Sequence, residues 1–295
     1  MAATPRPRRS VLYMPGANTR ALEKARGLAA DALILDLEDA VAPDAKATAR
    51  ENVAAALAAG GYGKRELVVR VNGLATRWGF DDLAAVAGMR ADAVLLPKVE
   101  SAEMVRQAEQ ALAASGAPAS LAIWCMMETP LAMLHAEAIA AASRRVAALV
   151  MGTSDLTKDL HARHTRERLP LLTSLGLCLL AARAYGLAIL DGVHLDLADD
   201  EGFAAQCRQG RELGFDGKTL IHPKTIAAAN AAFAPTSAEV AWSRRIIAAH
   251  AEAEAAGKGV VLVDGRLIEN LHVEDARRTV ALAEAIAEME RAASQ

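Results

Sequence analysis

Five apolar stretches of this chain end in side chains able to hold a metal or an anionic oxygen. "LILDLED" ends with Asp36, Glu38 and Asp39, "VVRVN" with Arg70 and Asn72, and "LLPKVE" with Lys98 and Glu100. "WCMMETP" carries Glu128, and Asp155 follows in "MGTSDL". Glu128 and Asp155 are the metal-ligand candidates, because hard carboxylate oxygens completed by water and substrate suit Mg²⁺. These ends carry no histidine, which argues against zinc. Two carboxylates about 4 Å apart repel by roughly 4 kcal/mol at a typical effective dielectric, so the acids at 36, 38 and 39 need either hydration or a cation. The expectation is that they lie beside the metal and hold its waters. Arg70 offers a planar cation for a carboxylate or a developing enolate oxygen. Plainer readings stand beside these. Asp36 or Asp39 could cap the next helix, Asp44 is expected to cap "AKATARENVAAAL", Lys98 could lie along the rim, and Glu128-Thr129-Pro130 could be a strand-to-helix turn.

These groups must be positioned by the elements that precede them. Eight short apolar runs are candidate strands: "SVLYMPG", "ALILDLED", "ELVVRVN", "AVLLPKVE", "LAIWCMME", "VAALVMGT", "AILDGVHLD" and "GKTLIHP". Between them lie amphipathic segments such as "NTRALEKARGLA", "SAEMVRQAEQAL" and "EGFAAQCRQGRELG", with apolar residues recurring at threes and fours. Alternation of strand and helix implies a parallel sheet, and eight units point to a (β/α)₈ barrel over residues 1–233. The C-terminal strand ends of such a barrel converge, which would bring the polar residues together. Residues 234–295 read as a C-terminal helical extension: a helix, a short apolar stretch "GVVLVDGRLIE" and a final helix from about Val273.

The formal net charge of −3 and the absence of a basic stripe with interleaved aromatics argue against a nucleic-acid partner. Three scattered cysteines, Cys125, Cys178 and Cys207, fit a reducing compartment and apolar packing. Charged residues interrupt the apolar run after the basic N-terminus, so neither a signal peptide nor a membrane span is expected and the protein reads as cytoplasmic. Six histidines lack metal-ligand spacing, while His222 in "LIHP" falls nearer the expected site. Ser154 and Ser174 lack a nucleophile-elbow context.

In this order the motifs "RSVLYMPG", "DLEDAV", "VRVNG", "LPKVE", "MMET", "MGTSDL", "DGKTLIHP" and "VDGRLIENLHVEDARR" resemble the citrate lyase β-subunit-like family of the HpcH/HpaI aldolase superfamily. The resemblance implies a Mg²⁺-dependent TIM barrel, usually trimeric, acting on an acyl-CoA thioester. It implies Glu128 and Asp155 as metal ligands, Arg70 on the reacting oxygens, and Asp36 and Glu38 supporting the metal's waters. It places Tyr13, Pro15 and Lys24 where the coenzyme A nucleotide is received, with Lys98 as a further ligand contact. The extension would reach a neighbouring subunit and carry the acid/base. Where many family lyases have Asp in "GxMxDxP", this chain reads "GRLIENL", with Glu269 at that position and Leu271 in place of proline. The activity expected first is carbon-carbon cleavage of a malyl- or citramalyl-CoA ester. Hydrolysis of (3S)-malyl-CoA is the alternative, and a non-catalytic acyl-CoA-binding or carrier-associated subunit is the third.

Overall fold

The computed structural model describes residues 5–257 and 259–293. Ten strands lie among them: β1 Ser10–Pro15, β2 Ala32–Asp36, β3 Glu66–Arg70, β4 Ala93–Leu96, β5 Ala122–Met127, β6 Val146–Met151, β7 Ala188–Asp191, β8 Gly217–Leu220, β9 Val261–Val263 and β10 Arg266–Ile268. The helices are α1 Thr19–Ala25, α2 Lys46–Ala59, α3 Gly79–Ala87, α4 Ala102–Ala114, α5 Pro130–Leu134, α6 Ala136–Ala140, α7 Thr153–Asp159, α8 Leu172–Ala184, α9 Asp200–Leu213, α10 Ile226–Phe233, α11 Ser237–Ala255 and α12 Asn270–Ala293. The chain divides into two compact units, one spanning Arg8–Phe233 and the other holding the chain from Ala234 onward with residues 5–7.

In the first unit, β1 to β8 pair in parallel and in sequence order, and β1 also pairs with β8, closing a (β/α)₈ TIM barrel. The strands are apolar on both faces because each separates two packed layers. Val11, Ile34, Val68, Leu95, Trp124, Met126, Val150 and Leu190 fill the barrel's interior. The alternate residues, among them Leu12, Leu33, Leu35, Val69, Val94 and Leu149, pack outward with the helices. Arg8 lies with its guanidinium carbon 5.3 Å from the Trp124 ring centroid and pairs with Glu66 at 2.6 Å.

Register sets the level of the site. Pro15 pairs with Asp36, and Asp36 with Arg70, so β1, β2 and β3 reach the mouth together. Side chains alternate along each strand, and the inward stripe that begins with Ala32 and Ile34 continues to Asp36, just as Val68 leads to Arg70.

The second unit joins α11 and α12 to an antiparallel β9–β10 hairpin. Its turn is Asp264-Gly265, both at positive φ, as a two-residue primed turn requires. Thr236 and Glu239 form a reciprocal capping box at the start of α11. Ile246, Ile268, Val273 and Ala276 make its small core. The final helix begins three residues before the Val273 expected from sequence, at Asn270. No helix among the described residues is long and apolar enough to cross a membrane.

Candidate active site

The acidic run after β2 is built around Arg70. The guanidinium is buried and grips Asp36 twice, Nε to Oδ1 and Nη2 to Oδ2, each at 2.6 Å. Asp36 also accepts the backbone N–H groups of Glu38 and Ala40, so both of its oxygens are engaged. Asp36 is thus the counter-ion of Arg70 and the staple of its own loop. On the other side Arg70 Nη1 lies 2.8 Å from Glu38 Oε2 and 3.3 Å from Asp39 Oδ2. The first relief for the crowded negative charge is therefore a protein cation, and three carboxylates around one guanidinium still leave an excess of negative charge.

Tyr13 occupies the inward face of β1, and its ring centroid lies 4.9 Å from the Arg70 guanidinium carbon. Burial, with the acids around it, raises the phenol far above its ordinary range despite Arg70, so it stays neutral. Tyr13 is thus an inner wall of this charge cluster. Pro15 ends β1 at the same level, and Lys24 is exposed on α1.

Glu128, buried at the end of β5, is fixed by the backbone N–H of Lys98 to Oε1 at 2.7 Å. Lys98 adopts a left-handed φ of 50°, an uncommon conformation for a residue with a side chain, and its Nζ lies 3.7 Å from Asp155 Oδ2. One residue therefore touches both carboxylates proposed as ligands. Gly152, at the end of β6, faces the same spot: a Cβ there would fall 2.3 Å from Glu128 Cβ and 2.7 Å from Oε2.

Electrostatics agree with this crowding. Burial drives the Glu128 carboxyl up to about 7, with Asp155 adding to the rise and the Lys98 N–H, Arg70 and the Lys98 ammonium opposing it. Burial likewise takes Glu38 up to about 8 against the pull of Arg70, with Asp39, Glu128 and Asp36 contributing. Glu38 Oε2 is buried yet makes no hydrogen bond of good geometry. Among the described residues no three His, Cys, Asp or Glu side chains converge as a complete metal cage. Two carboxylates with open positions for water and substrate nonetheless suit Mg²⁺, which keeps several waters and takes few protein ligands. Holding Glu128 charged beside Asp155 carries an electrostatic cost that a nearby cation would lower.

Several plainer readings are also resolved. Thr129 caps α5 by accepting the Ala132 N–H, and Pro130 takes the first turn, so Glu128 immediately precedes a strand-to-helix turn, as the plainer reading expected. Asp44 caps nothing: it lies inside a single 3₁₀ turn, Pro43–Ala45, and α2 starts without a side-chain cap. His222 caps the turn after β8, its Nδ1 accepting the Lys224 N–H. All three cysteines are buried and unpaired, and burial raises each thiol. Glu269 belongs to the second unit, where its carboxylate is exposed and its backbone N–H donates to His272 Nδ1.

Sequence reasoning missed two buried networks. Behind the acidic loop, Asp82 is fully buried and accepts from Asn72 and Arg50, while Asn72 and Lys46 donate to the carbonyl of Leu37. Between β7, β8 and the helices, Asp191 accepts from Arg168 at 2.6 Å and from Lys218 at 2.9 Å. Burial works to raise the Asp191 carboxyl, but Lys218 and Arg168 overcome it and hold the group below its usual range. The side-chain signal was a lysine in the middle of "GKTL", a charge inside an otherwise apolar strand.

A parallel eight-stranded barrel whose C-terminal mouth gathers a guanidinium and several carboxylates is the usual frame of an enzyme acting on an oxygen-rich substrate. Residues 9–223 match the family model described as HpcH/HpaI aldolase/citrate lyase, and the chain belongs to that family. It is 53% identical over 287 residues to the (3S)-malyl-CoA thioesterase of Cereibacter sphaeroides, covering 97% of this chain and 98% of the relative. The citrate lyase subunit beta of Escherichia coli is 37% identical over 284 residues, covering 95% of this chain and 94% of that one. Among solved structures, CitE from Mycobacterium tuberculosis in complex with magnesium, acetoacetate and coenzyme A superposes with a TM-score of 0.75 at 30% identity, covering 93% of this chain and 97% of the other.

Proposed function

We propose that this enzyme hydrolyses the thioester of a malyl-type CoA ester, releasing the hydroxy acid and free CoA, with Mg²⁺ as its cofactor. The observation that carries the reading is the 53% identity to a malyl-CoA thioesterase along 97% of the chain. It moves hydrolysis ahead of the carbon-carbon cleavage expected first from the sequence. Glu128 and Asp155 would hold the ion, which when bound supplies a positive centre for the hydroxyl and carboxylate oxygens of the acyl group.

The rest of the chemistry falls to the chain's own side chains. Arg70, locked in plane by Asp36 and against the Tyr13 ring, is a pre-oriented positive charge. Its proposed role is to offset the negative charge that develops on the thioester oxygen as water attacks the carbonyl carbon. The attacking water gives up a proton and the departing sulfur takes one. Glu38, whose carboxyl burial brings to about 8, is suited to pass a proton near neutral pH. Glu269, at the acid/base position by resemblance, is the second carboxylate proposed for orienting that water.

Cleavage to acetyl-CoA and glyoxylate is the second reading, supported by the 37% identity to a citrate lyase subunit beta. One assay separates them. Malyl-CoA is incubated with enzyme and Mg²⁺, free thiol is followed with an aromatic disulfide, and glyoxylate is followed as its phenylhydrazone. Thiol without glyoxylate is the expected outcome; glyoxylate with the thioester intact would put the lyase in its place.

A further inference from the structure

Lys46 is the first residue of α2, yet the residue is only 6% exposed. Its Nζ donates to the carbonyl of Leu37 at 2.8 Å and to that of Glu38 at 2.7 Å. The Trp78 ring, on the loop after β3, lies 5.4 Å from the ammonium and helps close it off from water. A buried ammonium is costly unless its donors are met, so such a group is retained where those bonds matter. Here both acceptors belong to the two residues that connect Asp36 to Asp39. Asn72 Nδ2 adds a second donor to the Leu37 carbonyl at 2.9 Å, and Asp82, itself held by Arg50, fixes that amide.

We propose that Lys46 is a positioning residue for this site, fixing the Glu38 carboxylate beside Arg70 through the two carbonyls its buried ammonium holds. Lys46 joins a set of other bonds that hold this loop. Asp36 staples the N–H groups of Glu38 and Ala40, β3 holds the Leu37 N–H, and the Glu38 carbonyl accepts from the Val41 N–H at 3.0 Å as well as from Lys46 at 2.7 Å. Without the ammonium the Glu38 carbonyl keeps only the Val41 N–H, which loosens the peptide after Glu38 and lets its side chain shift from Arg70, which it contacts through one oxygen at 2.8 Å. The proposal rests on the hydrolase reading for its kinetic readout only.

The experiment is a double-substitution cycle in the full-length enzyme. Lys46→Met keeps the volume of the side chain and removes its donors. It is expected to lower kcat for thiol release about 100-fold, the scale of a misplacement near 1 Å, with KM changed less than about threefold. Lys46→Arg, which keeps charge and donors, is expected to recover at least about tenfold of that loss. In a Glu38→Gln background the Lys46→Met change should cost less than about threefold more, because Lys46 acts through Glu38. A similar loss in both backgrounds would make Lys46 a general support of the fold and overturn the proposal. Crystal structures of wild type and Lys46→Met give a readout independent of turnover: Glu38 should leave ion-pair reach of Arg70, and an unmoved Glu38 refutes the idea. If wild type releases no thiol from malyl-CoA, the hydrolase reading falls alone and that structural comparison still decides about Lys46. Should Lys46→Met not fold, Lys46→Gln, which keeps an amide donor, takes its place in the same cycle.

Discussion

Replacing Gly152 by alanine tests the site through a single methyl group. The backbone at 152 has φ −96° and ψ 73°, so the substitution introduces no left-handed strain. Its effect is purely steric. The added Cβ would lie 2.3 Å from Glu128 Cβ, whereas contacts below 3.4 Å are already tight, so the two must separate by about 1 Å. Neither atom can swing away, because both are attached directly to backbone, and the two backbones are joined by the Gly152 N–H donating to the Met127 carbonyl at 2.9 Å. The strand ends must part, and the charge-assisted bond from Lys98 N to Glu128 weakens. Overpacking and that bond together should cost about 3 kcal/mol. In a chain of this size the melting temperature would fall by roughly 6–12 °C. Because Glu128 is a proposed ligand, Mg²⁺ affinity by isothermal titration calorimetry should weaken at least about tenfold. Turnover of malyl-CoA should drop by about 100-fold. Gly176, on α8 with open space where its Cβ would stand, is the control: alanine there should gain up to about 1 kcal/mol and leave catalysis untouched. Wild-type Mg²⁺ affinity in Gly152→Ala would remove the reasoning at its base.

Two further outcomes are expected. Glu38 and Glu128 titrate near 8 and 7 in the fold against an ordinary 4.5, so each favours the folded state while protonated; that advantage is complete below pH 4.5 and is lost as pH rises through 7 to 8. Melting curves in a chelator should therefore shift downward between pH 5 and 8.5, and excess Mg²⁺ should remove most of the slope; a flat curve in chelator contradicts the buried-acid picture. Asp191→Asn leaves Arg168 and Lys218 buried without their shared carboxylate, and urea unfolding should report a loss of about 3–5 kcal/mol. A change below about 1 kcal/mol would mean that the cluster is not the anchor its geometry describes.

The barrel was legible because each strand is a short apolar run stopped by a polar group, and each helix carries a spacing of threes and fours. The same punctuation marked Asp36, Arg70, Lys98, Glu128 and Asp155, since a charged side chain at an apolar strand's end has few structural uses. What the sequence could not display was which cation answers which acid. Arg70 meets Asp36 because β2 and β3 lie in register, a fact of pairing that one-dimensional spacing does not contain. Lys46 and Asp82 read as ordinary charges of amphipathic helices, and only packing of α2 and α3 beneath the loop reveals them as buried. The β9–β10 hairpin could have been read from "VDGRL", where Asp-Gly between two short strands is a turn signal. Asp44 failed as a cap because a proline before it started a tighter turn first.

The pairing of Asp36 with Arg70 joins neighbouring strands, and Glu38 comes from the loop between them, whereas Glu128 and Asp155 arise across the mouth from β5 and α7. The Arg70 cluster and the two carboxylates proposed for the ion thus rest on different elements. Changes in the segments after β5 and β6 would therefore leave intact the β2–β3 pairing that anchors the guanidinium.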